Sequence, residues 1–599
     1  LHDYQCIVTK PRKQRLYGSI DHVRSRLNLL EGLVKGLIPE TDVGDIEALR
    51  AVGRSLGIPL PEEKQTSSPA HQSESVDQLP RENKMLVHDR QGQGQYIGPA
   101  SSYVFQMKLR ALLGRESDTH YGQMYLFGGN PSTQYIVPGE ADLLAHHTQS
   151  LDELVRSYFD RVNSDFPVLY ESAFLETFDS WRITPDSVDR AWLCSLLCVL
   201  ILGSRAQKPS LSSSNNQSSL LTDEQRWWSH VEALLPGVLF TSSVHSIQAL
   251  LLAALHLHNT NHRDACWTLT GAAGRIAVAI GLHRDEVEPA GPRLARELRK
   301  ALWWTLYGFE QMQVSSHDRP SAFDAARCST VAPRERLLGS GGFYGPPDYI
   351  ACWTRLVSLL GLVCRGLPTV TANTETYLGP LSPTAGLLRD LGRWHDSLPV
   401  HLSMPGAVTL PDAFRRPTLL LHIQYHYAVT LLTRYALLLY YQATLRLEES
   451  PTAEIAQMAE ICSQSGRKAC ELLLNLDEIG EFNAVTWWDI YYLYSSTLVV
   501  TLSILCDQQT LNESLECMHR CAALVERHRA ITPMMPGTMQ KWASIVSELD
   551  VMMVDFATST TFASQAGEDT FLGILEEENA LSWDSIGTML LGGSFDSVL

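Results

Sequence analysis

The sequence predicts an all-α protein. Apolar residues recur at helical spacing through most of residues 150–510, and no apolar–polar alternation of strand length interrupts them there. Near the start, Ile20, Val23, Leu27, Leu30, Val34 and Leu37 are spaced alternately three and four apart. That seam is narrow, and a helix buries it only against a partner helix. The expected architecture is a short N-terminal dimerisation coiled coil, a disordered linker, a large multi-helix regulatory domain and a disordered acidic tail.

Residues 1–15 hold Cys6 and a basic cluster of Lys10, Arg12, Lys13 and Arg15. Four cations in six positions suit DNA phosphate, which sets register without reading sequence. Residues 16–38 form the coiled-coil dimerisation helix, and a homodimer follows from its self-pairing seam. Pro39 ends it. Across 39–140 a short amphipathic piece around Ile46, Leu49 and Val52 precedes a stretch rich in Pro, Ser, Gln, Glu and Gly. That stretch has too few large apolar side chains to offset the entropy of ordering, so the segment is expected to be a largely disordered linker.

The helical domain is expected over 141–560. Ser150 and Glu153 form a capping box ahead of the apolar face Leu151, Leu154, Val155, Tyr158, Phe159 and Val162. Ile247, Leu250, Leu251, Ala254, Leu255 and His258 repeat the spacing. A small-residue helix follows from Asp264 to Ile280, stopped by Gly281, with Gly271, Ala272, Ala273 and Ala277 expected to admit a neighbouring helix closely. The longest apolar run, Ile490–Cys506, is broken by Ser495, Ser496, Thr497, Thr501 and Ser503 and reads as a core helix, with no membrane partner. Residues 561–599 form the tail, where Phe571, Leu575, Trp583, Leu590 and Phe595 are interleaved with acidic groups. Those groups keep apolar side chains available to a coactivator groove, which points to activation.

Charge is polarised along the 599 residues. The net −18 divides into +4 over residues 1–37, −10 over 542–599, where Lys and Arg are absent, and −12 between. A head that meets phosphate and a tail that avoids it fit this division. With 45% hydrophobic and 19% charged residues, the middle can fill a sizeable core. The twelve cysteines include no C-x2-C pair; Cys194/Cys198 and Cys517/Cys521 lie four apart in apolar helical patterns and read as buried thiols.

Motifs of catalysis do not appear. The chain has no P-loop, G-x-S-x-G, H-E-x-x-H or D-D-x-x-D run, so it reads as no enzyme. His256, His258 and His262 are close in sequence, but His256 falls on another helical face, so surface or capping roles are preferred over a metal site. The pairs Trp227-Trp228, Trp303-Trp304 and Trp487-Trp488 read as core and interface filler.

Several motifs follow one another in a fixed order. Asn163-Ser164-Asp165-Phe166-Pro167-Val168-Leu169 is followed by Gly281-Leu282-His283-Arg284, Glu297-Leu298-Arg299, Trp303-Trp304-Thr305-Leu306-Tyr307 and Asp318-Arg319-Pro320-Ser321. This succession resembles the middle homology region of fungal regulators such as the xylanolytic activators, over roughly residues 150–510, with Trp303, Trp304, Tyr307, Arg319 and Pro320 as its motif residues. Together with the N-terminus, the chain resembles the fungal binuclear zinc cluster transcription factors. In that family six cysteines, spaced C-x2-C-x6-C, a loop, then C-x2-C-x6-8-C, hold two zinc ions. Cys6 matches the sixth, and a fifth would fall before Leu1; the chain also lacks an initiator Met. It is therefore expected to begin inside the cluster, with at most a partial zinc site in this chain.

The resemblance implies a nuclear, sequence-specific DNA-binding transcriptional regulator, an activator by its tail. Its intact cluster would read CGG-like half-sites in double-stranded DNA, and its helical domain could answer a small-molecule inducer. The alternative is an all-α ligand-binding or scaffold protein without its own DNA-binding head, with Lys10–Arg15 acting only in nuclear import.

Overall fold

The computed structural model describes residues 150–566 except 208–215, 288–291, 318, 324–326, 340–344, 368–378, 380–381, 408–409, 447–450, 485, 507–510, 533–534 and 536, together with 86–88, 94–96, 138 and 143. Cys6, the basic cluster, the heptad seam and the tail residues Phe571, Leu575, Trp583, Leu590 and Phe595 lie outside the described residues. The backbone divides into two compact units, Leu1–Leu79 and Pro80–Leu599, and every described residue belongs to the second.

Two short strands, β1 (Leu86–His88) and β2 (Gly94–Tyr96), pair antiparallel with Leu86 opposite Tyr96. They fall in the segment read as linker. A ladder made by backbone groups needs no large apolar side chains, so composition did not reveal it.

All other regular structure among the described residues is helical. The long helices are α1 (Leu151–Tyr158), α2 (Glu171–Ile183), α3 (Arg190–Ala206), α4 (Asn216–Leu239), α5 (Val244–Asn259), α6 (Arg263–Ala279) and α7 (Arg293–His317). There follow α8 (Tyr349–Gly366), α9 (Pro383–Asp396), α10 (Asp412–Arg446), α11 (Ala453–Glu478), α12 (Trp487–Cys506), α13 (Leu511–Ile531) and α14 (Gly537–Ala566). The fold class is all-α, as the periodicity predicts. Side-chain caps set many starts: the Glu153 N–H donates to Ser150 Oγ at 3.4 Å, Trp192 N–H to Asp189 Oδ1 at 2.6 Å, and Ser246 N–H to Ser243 Oγ at 3.1 Å. Helix α6 ends before Gly281, whose φ of 79° is the left-handed conformation that glycine adopts without strain.

Of the four α6 residues expected to admit a neighbouring helix, Ala273 and Ala277 are fully buried, but Gly271 is not a contact, and a further close approach falls at Gly274. A Cβ on Gly271 would meet open space, whereas one on Gly274 would stand 2.9 Å from the Phe323 ring. The tertiary path of residues 319–323 decides this, and helical spacing alone does not show it. Helices α3 and α5 are buried almost throughout. Helix α12 is the one described helix long and apolar enough to cross a membrane, and 78% of that window is buried inside the domain. It is a core helix, as its hydroxyl interruptions suggest.

Two polar devices order the start of this unit, and the second fastens it to the C-terminal part. A π-helical turn, Phe159–Asn163, continues α1 and delivers Asn163 into the interior. There the Tyr158 hydroxyl and the Val168 and Leu169 N–H groups donate to Asn163 Oδ1, each at 3.1 Å, while Nδ2 donates to Leu169 O at 3.0 Å. Beside it, Arg416 of α10 donates through Nε and Nη2 to Asp165 at 3.0 and 2.5 Å, and through Nη1 and Nη2 to Asp489 of α12 at 2.8 and 3.2 Å. Arg416 Nη1 also donates to Glu481 O at 2.5 Å, and Asn483 N–H to Asp489 Oδ2 at 2.7 Å. Burial opposes charge on Arg416, but the Asp165 and Asp489 carboxylates hold it above its usual range, while burial pushes the Asp489 carboxyl up.

Removing one member of a buried, hydrogen-bonded ion cluster strands the others. Arg416→Met is expected to destabilise the domain by about 3–5 kcal/mol, and Asn163→Ala, which orphans several loop groups, by about 2–3 kcal/mol. Urea unfolding of the chain measures both; a loss under about 1 kcal/mol for Arg416→Met would show that the cluster is not the fastening described.

Candidate functional site

Loop 164–170, α2, α7, α8, the first half of α10 and the start of α12 are the main walls of a cavity of about 570 Å³. Its position follows from the two polar devices. Asn163 curls the loop, the Asp165–Arg416–Asp489 cluster ties it to α10 and α12, and Phe166, Pro167 and Val168 are left on the cavity wall. Three loop carbonyls are bound within the fold: Thr305 Oγ1 donates to Pro167 O and Gln248 Nε2 to Val168 O, each at 3.0 Å, beside the Asn163 bond to Leu169 O. The wall is therefore stiff before any ligand arrives.

Aromatic rings make much of that wall. Phe166 packs against Phe309 and Trp488 with centroids 5.0 and 5.5 Å apart, and Trp487 stands edge-on to Trp488 at 4.6 Å. Cationic groups come from α7, where Arg296 and Arg299 line the cavity and Arg299 Nη2 donates to Ile280 O at 2.8 Å. Burial lowers the Arg299 pKa. A space of this size, apolar in body and edged by Arg296 and Arg299, can take a compact, largely apolar or aromatic molecule.

The sequence motifs are divided by this geometry. Trp303 and Trp304, one step apart on α7, face differently: Trp303 is fully buried against Phe323 at 5.0 Å, whereas Trp304 lines the cavity and donates from Nε1 to Val331 O at 3.2 Å. Tyr307 packs on Phe323 at 5.8 Å, and burial pushes its hydroxyl up to about 12. Arg319 pairs with Asp264 and sits over the Trp267 ring, and Pro320 is exposed beside it. Thus the arginine–proline–serine turn clips α7 to α6 and is not cavity wall. Trp487 and Trp488, read as filler, both face the cavity; their pairing gave no signal of that.

The histidines separate as well. His256 and His258 are buried, and not at the surface as expected: His256 packs tilted on Trp228 at 4.4 Å, with burial lowering its pKa to about 3, and His258 packs tilted on Trp487 at 4.4 Å. His262 precedes α6, its Nδ1 3.1 Å from Thr260 Oγ1. Cys194 and Cys198 are buried as expected, while Cys517 is half-buried.

Residues 155–334 match the model of the fungal specific transcription factor domain. That span covers the second half of α1, all of α2–α7 and the arginine–proline–serine turn; the α8, α10 and α12 walls lie beyond it. A relative in Schizosaccharomyces pombe named as an uncharacterized transcriptional regulatory protein is 24% identical over 445 residues, 72% of this chain and 54% of the relative. The thiamine repressible genes regulatory protein of the same yeast is 29% identical over 38% of this chain and 30% of its own length. A Zn(2)-C6 fungal-type transcription factor of Macrophomina phaseolina is 26% identical over 31% of this chain and 26% of its own. The chain spans about half the length, or less, of these relatives. The family description and the relatives' names are those of transcriptional regulators, not enzymes.

Glu310 joins the turn to α7. Its carboxylate accepts from the Ala322 N–H at 2.6 Å and from Ser321 Oγ at 3.0 Å, yet burial raises its pKa to about 7. A carboxyl whose native pKa exceeds the unfolded value stabilises most below the unfolded pKa, near 4.5, and that stability is lost as pH rises toward 7. Glu310→Gln is expected to remove a pH-dependent loss on the order of 3 kcal/mol, read as a flatter urea midpoint between pH 5 and 8; an unchanged slope would refute the assignment.

Proposed function

We propose, from a chain that carries a fungal specific transcription factor domain, that it is the regulatory body of a nuclear, sequence-specific DNA-binding transcriptional regulator whose cavity receives a small-molecule effector. The domain match carries this reading, and the names of the relatives support it. In this reading Cys6 supplies one thiolate to a binuclear zinc cluster, a cofactor suggested by the Zn(2)-C6 relative. Lys10, Arg12, Lys13 and Arg15 steady that head on phosphate. The seam Ile20 to Leu37 pairs two heads, so that linker length sets the separation of two half-sites. The acidic tail, with Phe571, Leu575, Trp583, Leu590 and Phe595, recruits a coactivator and makes the protein an activator.

The cavity gives the domain a means of response. A ligand bound between loop 164–170, α7 and α12 would stabilise that closed arrangement by mass action. Only a ligand with different affinities for the active and inactive arrangements shifts their balance.

Selection from random duplex DNA at a stated salt concentration, using the full open reading frame, tests the reading. Enrichment of paired CGG-like triplets is expected, and its absence would favour an all-α scaffold without a DNA-reading head. Replacing Lys10, Arg12, Lys13 or Arg15 singly by Ala is expected to weaken binding to all sequences alike and to lower the slope of log affinity against log salt by about one. A change confined to one base position would assign that residue to base reading instead.

A further inference from the structure

Away from the cavity, three thiols from two helices converge. Cys470 on α11 and Cys517 and Cys521 on α13 place their Sγ atoms all within 4.8 Å of one another. Cys517 and Cys521 are one helical turn apart and share a face of α13, and α11 packs against that face. Cys470 and Cys521 are fully buried, and half-buried Cys517 leaves a path from solvent.

The donor set defines the chemistry. Three sulfurs bound to one ion at about 2.3 Å stand roughly 4 Å apart around it, a spacing these side chains already allow. The cluster consists of sulfur alone, and such soft donors choose zinc, copper(I) and their heavier congeners over magnesium or calcium. The alternative use of close thiols, a disulfide within α13, fits worse. Residues one turn apart on a helix hold their Cβ atoms about 5–6 Å apart, against the roughly 3.5–4.5 Å that a disulfide spans.

Two basic residues, Arg467 on α11 and Arg520 on α13, lie near Cys517. Both guanidinium groups reach acidic neighbours without leaving the cluster's vicinity, Arg520 to Glu478 at 3.1 Å and Arg467 to Glu460 at 4.0 Å.

We propose that Cys470, Cys517 and Cys521 form a three-thiolate site for one soft metal ion, which clamps α11 to α13. Each protonated thiol releases its proton to solvent as its sulfur–metal bond forms; no oxidation state changes, and no further reactant is needed. Helix α12, which carries Trp487, Trp488 and Tyr492 of the cavity wall, packs against both clamped helices. Metal loading thus stiffens one side of the cavity.

The test is titration of the reduced, metal-free full chain with cadmium(II) as a spectroscopic probe, in a Cys6→Ser background so that the N-terminal thiol contributes nothing. One equivalent per chain is expected to raise a thiolate-to-metal ultraviolet band and the thermal midpoint together, and zinc(II) should compete the band away. Cys517→Ser, at the half-buried position where serine is tolerated best, is expected to lose both signals, as is Cys470→Ser; Cys198→Ser, in the separate pair on α3, should keep them. Absence of the band in the parent chain, or its persistence in Cys517→Ser, overturns the site. Should Cys470→Ser fail to fold, the Cys517→Ser result still decides.

Discussion

The guanidinium of Arg416, shared between Asp165 and Asp489, is the constraint on which the helical domain depends. The three residues come from segments that sequence separation makes independent: a loop after the first helix, the start of a 35-residue helix, and the first turn of the apolar α12. Each carboxylate alone would be costly so deep in the core, Asp489 being completely buried. Together with the Glu481 carbonyl and the Asn483 amide they satisfy one another, and the geometry is specific because the planar guanidinium forks to both partners. Apolar packing could hold these helices at many offsets; the fork selects one, the registry role for which buried ion clusters are best attested.

The cavity is a consequence of that registry. Loop 164–170 is held on α7 through Thr305, on α5 through Gln248 and on α10 through Arg416. Rings from three segments then meet edge to face, and leave a space they cannot close. A domain that keeps a stiff, aromatic-lined space beside two arginines has a place for an effector, and the helices around it are the ones a bound molecule would hold together. Glu310, linked through Ser321 to the turn that carries Arg319, connects the same helix α7 to α6. Ligand wall and structural clip therefore share one helix, so a shift of α7 would be felt at both.

Much of this was legible beforehand, and the reason differs by level. Helix content, the cap at Ser150, the stop at Gly281 and the burial of α12 follow from local rules, since periodicity and capping involve residues within one or two turns of each other. The motif succession from Asn163 to Ser321 marked the right region and matched a known domain. What each motif residue does was less legible. Trp303 and Trp304 look alike in sequence, yet a 100° rotation around the helix sends one to the core and the other to the cavity. Ala273 and Ala277 are buried as their spacing suggests, but Gly271 is open and the tight contact at Gly274 was not legible, because Phe323 arrives from outside the helix.

The sequence by itself determined that the middle of this chain is helical, where several helices begin and end, how charge is distributed from head to tail, and which family its motifs resemble; all of these are short-range or compositional properties. Only the tertiary structure decided which of its charged and sulfur-bearing residues meet. Asp165 and Arg416 are 251 positions apart, Cys470 and Cys517 come from different helices, and Phe166 reaches Trp488 across the domain. The physical reason is that such pairings depend on how helices cross and at what offset, and that choice is made by the whole core at once.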